Sequence, residues 1–188
     1  MSAAISPLAP TNLALLCVDV QPVFLKVIPD HERLTKRCAF VIAAAAELGI
    51  RTIFSEQVSE KLGPTLPELR QLAKSPLAFS KKTFSAVADD PLRAALLTAE
   101  TEHVLLCGIE TSVCVYQTAL DLLAAGAGVT VLSDCIGARR PADAQVCLEA
   151  LVRAGANLLP AETVFYALLH DVAHPFFKAY TQLVKAYS

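Results

Sequence analysis

Charge is scarce in this chain. Charged residues make up 18% of its 188 positions, against about 25% in an average soluble domain. No basic cluster is longer than the pairs Lys81-Lys82 and Arg139-Arg140, and the net charge is −2. Nucleic-acid footprints are basic stripes, so no nucleic-acid partner is expected. Long apolar runs are also missing. The longest, residues 38–46, falls far short of the roughly 20 residues of a membrane span. No membrane association is expected. The six cysteines form no C-x-x-C pair, which removes the usual zinc-ribbon and thioredoxin signatures. The first ten residues hold no Lys or Arg and no apolar run of signal-peptide length. Scattered, unpaired cysteines then suit a reducing compartment. The expectation is cytoplasmic, with a mitochondrial location kept open.

What the chain has is apolar surface to bury. Hydrophobic residues reach 54%, which excludes intrinsic disorder. It calls for a large core, an oligomer interface, or both. At roughly 100–200 residues per domain, a single domain over residues 1–188 is expected.

Short apolar runs alternate with helical periodicity. Strands are predicted over 13–19, 50–54, 77–80, 103–107, 129–133 and, short, 157–159. Helices are predicted over 31–48, 89–100, 112–125, 141–154, 161–170 and 175–187, with a loop over 55–75. This alternation predicts an α/β fold of the Rossmann-like, three-layer α-β-α kind. Its mostly parallel sheet has about six strands, with helices on both faces. Ligands then bind past the carboxyl ends of the strands, at the switch point in strand order. Residues following the strands become the candidates: Asp19 and Gln21, Ser55 to Gln57, Lys81 or Lys82, Gly108 to Cys114, and Asp134.

Three residue types in that set carry chemistry. Cys114 lies three positions after Thr111, a plausible N-cap, and so in the first turn of a helix. Helix amides and a nearby lysine lower a thiol pKa, and free amides there can hold an oxyanion. Asp19, ending a buried strand, suits a general base. A lysine would balance its charge. On a strand the neighbours Lys81 and Lys82 face opposite ways, so only one enters the site. Each residue also has a plain structural use, as core thiol, turn cap or solvated cation. Convergence on one end of one sheet favours the chemical use.

Several segments carry a resemblance: LLCVDVQ (15–21), SEQVSEKLGPTLPEL (55–69), KKTFSAV (81–87), LLCGIETSVCVYQTALDLLAAG (105–126), VTVLSDC (129–135) and HDVAHPFFKAYTQLVK (170–185). Together they span nearly the whole chain. The sequence resembles the isochorismatase-like hydrolases, the cysteine-hydrolase superfamily. Its LGPT-x-PEL and AHP-x-FK stretches look most like the isochorismatase-domain-containing proteins. The resemblance implies a catalytic aspartate, lysine and cysteine at Asp19, Lys81 and Cys114. Lys81 is chosen because the family's lysine stands three residues before an aromatic followed by Ser-Ala, here Phe84-Ser85-Ala86. It also implies a cis peptide at Ile109–Glu110, with the Glu110 and Cys114 amides forming an oxyanion hole, and Gln21 and Gln57 lining the pocket. The D-x-H…H metal site of nicotinamidases has no counterpart, because residues 55–69 contain no histidine. His170 and His174 are expected to be a surface pair. No metal or other cofactor is expected.

The resemblance thus points to a metal-free cysteine hydrolase of a small amide or related C–N substrate, working through an acyl-enzyme. The alternatives are isochorismatase-type vinyl-ether hydrolysis, or a non-catalytic binding or regulatory protein on the same fold. Some relatives are labelled ribonucleases, but no basic groove or catalytic histidine pair supports that here. The expected partners are a small-molecule substrate and further copies of the chain, as a dimer or tetramer. The C-terminal PFFKAYTQLVKAY stretch would serve either as such an interface or as a helix packed on its own subunit.

Overall fold

The structure is a computed structural model and describes residues 10–187. Six parallel strands form one sheet in the order β3-β2-β1-β4-β5-β6. They are β1 (Leu13–Val18), β2 (Arg51–Gln57), β3 (Leu77–Lys81), β4 (His103–Ile109), β5 (Gly128–Gly137) and β6 (Asn157–Leu159). β1 and β4 are buried at every position, the pattern of strands covered on both faces.

Alternate side chains feed two cores. Leu13, Leu15 and Cys17 pack with α2 (His31–Leu48), α8 (Ala161–Leu169) and α9 (Phe177–Tyr187). Ala14, Leu16 and Val18 pack with α5 (Asp90–Leu96), α6 (Tyr116–Ala124) and α7 (Pro141–Arg153). Helices therefore cover both faces. The C-terminal helix α9 packs on its own subunit. Tyr180, fully buried, sits against Phe40 and Phe165 with ring centroids 5.7 and 5.9 Å apart.

The region expected to be a loop, 55–75, differs. β2 runs on to Gln57, and two short helices follow, α3 (Ser59–Leu62) and α4 (Pro67–Leu72). Pro67 opens α4 at a position where its missing N–H costs nothing. α1 (Pro22–Leu25) begins the same way. These one- to two-turn elements are too short to show a helical period in sequence.

The strand order reverses between β1 and β4, whose connections leave to opposite sides. Asp19 follows β1 and Glu110 follows β4, so both lie at this switch point. Gly108 permits it. It has φ +109° and pairs with Val18, and a Cβ there would lie 2.1 Å from the Val18 carbonyl oxygen.

At the opposite end of the sheet, His103 is buried. Its Nε2 lies 2.8 Å from Thr130 Oγ1, while Nδ1 has no partner among the described residues. Burial pushes this imidazole down to about 4 from an ordinary 6.5. Below pH 6.5 the unfolded chain takes up a proton there that the folded chain refuses. Stability is therefore expected to fall between pH 6.5 and pH 4, by about 3 kcal/mol in all. In His103→Asn, urea unfolding across that window should lose this slope. An unchanged slope would place the acid sensitivity elsewhere.

Candidate active site

Asp19 sits just past β1 in a left-handed backbone conformation, φ +49°, which Asp tolerates better than most residues. This turn carries its carboxylate into the crevice, where it is buried. Ser55 Oγ donates to Oδ1 at 2.7 Å, and Lys81 Nζ donates to Oδ2 at 2.8 Å. Lys81, the last residue of β3, is fully enclosed. Its ammonium also donates to Gln57 Oε1 at 2.6 Å, to the Thr83 carbonyl at 3.1 Å and to Cys114 Sγ at 3.8 Å. Lys82, just past β3, is exposed. Its carbonyl accepts from Gln57 Nε2 at 3.0 Å.

Cys114 does not sit in an ordinary first helical turn. Residues Thr111–Val115 form a π-helical turn that runs into α6, with the Val115 N–H bonded to the Glu110 carbonyl at 3.2 Å. Single π turns of this kind recur at functional sites. Thr111 does not cap the helix. Its hydroxyl donates to the Gly137 carbonyl at 3.0 Å, tying the turn to the end of β5. The Ile109–Glu110 peptide is cis.

The expectation of a lowered thiol pKa is corrected. Burial of Cys114, which is 8% exposed, and the neighbouring Asp19 carboxylate push the thiol up to about 12. Lys81 and the Glu110 amide pull it down without offsetting them. Desolvation of a thiolate outweighs the helix end here. The resting thiol is therefore protonated.

Asp19, Cys114, Gln57, Ile109 and Glu110 line one cavity of about 440 Å³; Lys81 does not line it and bears on it through its contacts with Asp19 and Cys114. Gln21 lies behind the wall. Its Nε2 donates to the carbonyls of Gln57 and Gly63, and its Oε1 accepts from the Gln57 N–H. It braces residues 57–63 and does not line the pocket. Asp134 points away from the crevice, bound to Arg37 at 2.7 Å and to the Ala161 N–H at 2.8 Å.

Ser55, one of the candidates that follow the strands, pairs with Val18 in the sheet and so lies beside Asp19. One site residue escaped sequence reasoning. Arg139 reaches the cavity rim and donates from Nε to Glu110 Oε2 at 2.9 Å, a contact spanning 29 residues with no local signal. A larger hollow, about 690 Å³, lies between α2 and α4 and is bordered by Tyr187. No cysteine or serine lines it. Among the described residues, no group of three His, Cys, Asp or Glu side chains could hold a metal ion. No described helix is long and apolar enough to cross a membrane.

The model of the isochorismatase domain matches residues 13–163 of this sequence, the stretch that builds the sheet and the crevice. The chain belongs to the isochorismatase family. It is 36% identical to isochorismatase domain-containing protein 2 of Bos taurus over 184 residues, covering 97% of this chain and 87% of the bovine protein. The structure of MAR1 ribonuclease from Caenorhabditis elegans superposes with a TM-score of 0.89 at 34% identity, covering 95% of this chain and 92% of that one. The YcaC gene product of Escherichia coli, described as an octameric hydrolase of unknown specificity, shares the fold. Its TM-score is 0.83 at 21% identity, with 96% and 95% of the two chains covered. The isochorismatase family is of hydrolase type, and the switch-point crevice of this member is where its candidate chemistry lies.

Proposed function

We propose that this isochorismatase-family member is a metal-free cysteine hydrolase of small amides, with Asp19, Lys81 and Cys114 as its triad. The observation that carries the reading is the buried contact set joining them: Lys81 Nζ donates to the Asp19 carboxylate at 2.8 Å and to Cys114 Sγ at 3.8 Å. Asp19 takes the thiol proton as sulfur attacks the amide carbon. The C–S bond forms, and the carbonyl π electrons move to oxygen. The Glu110 and Cys114 amides receive that oxyanion. Asp19 then protonates the leaving nitrogen as the C–N bond breaks, leaving a thioester. A water, deprotonated by Asp19, attacks the thioester and releases the acid, and Cys114 regains its proton. Lys81 keeps the changing negative charge balanced throughout.

Ammonia release from a panel of small amides tests this, with Cys114→Ala and Asp19→Asn run beside the native protein. Both variants should be silent. The second reading, protonation of a vinyl ether by Asp19, calls for hydrolysis of an isochorismate-like vinyl ether that Asp19→Asn abolishes and Cys114→Ala leaves near native. A ribonuclease activity, by similarity to the nematode protein, would call for RNA cleavage that Cys114→Ala leaves intact. The free and mostly buried cysteines fit a reducing compartment such as the cytoplasm. Exposed Val146 and Val152 on α7 fit an interface between copies of the chain, which light scattering would detect.

A further inference from the structure

The amide reading leaves the acyl group of the substrate open, and the cavity walls bear on it. Every formal charge that lines the cavity is already cancelled by the protein. Asp19 is held by Lys81, and Glu110 by Arg139 at 2.9 Å. Gln57 has spent Oε1 on Lys81 and Nε2 on the Lys82 carbonyl. A charged substrate group entering here would shed its water and find no free counter-charge. The terminal nitrogens of Arg139 are the nearest to one. They belong to a half-exposed side chain at the rim, and the Glu110 carboxylate already neutralises it.

What remains is apolar: Phe24, Val27, Ile28, Val58, Leu62 and Phe84. Val27 is 57% exposed and Phe84 56% exposed. Apolar surface therefore continues outward from the nucleophile to the mouth.

We propose that this site takes uncharged amides whose acyl group is an apolar chain or ring. The carboxamide would lie between Cys114 and the Glu110 N–H, and the acyl group along Phe24, Ile28 and Phe84. This rests on the amide-hydrolase reading above and narrows its substrate class.

The test measures kcat/KM of the native protein for acetamide, butanamide and hexanamide, and for two charged homologues, adipic acid monoamide and 6-aminohexanamide. Efficiency should climb about threefold per added methylene, and hexanamide should exceed each charged homologue at least tenfold. Phe84→Glu, at an exposed position, should cut the hexanamide value and raise that of 6-aminohexanamide. A flat series, or a charged homologue equal to hexanamide, would overturn the assignment. If no amide is hydrolysed, the same five compounds are titrated calorimetrically into Cys114→Ala. Preferential binding of hexanamide would then support the apolar pocket while amide hydrolysis fails. Preferential binding of a charged homologue, or no binding at all, would overturn the pocket assignment itself.

Discussion

Cys114→Ala is expected to lower kcat for a small amide by on the order of 10⁴-fold or more, with KM little changed. Members of a catalytic unit fail together, because removing the nucleophile leaves the others with nothing to activate. The side chain is small and its neighbours are mostly rigid, so the cavity should survive. Asp19→Asn is expected to be equally inactive, but with an opposite signature at the thiol. The Asp19 carboxylate is one of the groups that push Cys114 up to about 12. Removing its charge should bring the thiol pKa down. Site-resolved alkylation against pH then separates the two roles. Native Cys114 should react slowly at neutral pH, with a rate that keeps rising well beyond the ordinary thiol value of about 8.5. In Asp19→Asn the rise should come earlier, even though turnover is gone. A variant whose thiol is more readily ionised yet does not turn over would show that proton transfer within the complex matters, and not a standing thiolate. A native Cys114 titrating well below 8.5 would contradict the raised thiol pKa attributed to burial and Asp19.

Lys81→Met is expected to be the most destabilising single change in the site, at about 3–5 kcal/mol. Its side chain is fully enclosed, and its partner Asp19 is nearly so. Removing one member of a buried pair leaves the other desolvated without compensation, whereas removing both is often close to neutral. Ser55 would still donate to Asp19 at 2.7 Å, but a single hydroxyl does not replace an ammonium. The double variant Asp19→Asn/Lys81→Met should therefore recover most of the lost stability and none of the activity. Urea unfolding of the two single variants and the double reads this directly. Additive losses below about 1 kcal/mol each would mean that the pair does not behave as a buried charge pair.

Much of this was legible in the sequence because parallel strands are buried on both faces. The runs at Leu13–Val18 and His103–Ile109 are almost wholly apolar for that reason. The Asp that ends the first run and the Gly-Ile-Glu that ends the second are then conspicuous. Strand alternation said that only one of Lys81 and Lys82 could enter the site, and the family's spacing to Phe84-Ser85-Ala86 picked Lys81. Less legible were features set by contacts distant in sequence. Burial of Cys114, decided by the packing of several segments, reversed the inferred direction of its pKa. The π turn has no periodic signal, since five residues cannot distinguish it from an α-helical start. Gln21 has the right position along the chain for the pocket, but α1 turns it toward Gly63, and only tertiary structure reveals that. Arg139 is one of two adjacent arginines; the salt bridge to Glu110 picks it out, and nothing local does.

The central claim is that Cys114 becomes acylated during turnover. Rapid mixing with p-nitrophenyl acetate, followed by peptide mass spectrometry of the quenched protein, tests it without knowledge of the natural substrate. One equivalent of p-nitrophenolate per chain should appear in a burst. The acetyl mass should fall on the Cys114 peptide, and both should vanish in Cys114→Ala. Steady hydrolysis with no burst, unchanged in Cys114→Ala, would contradict the acyl-enzyme account.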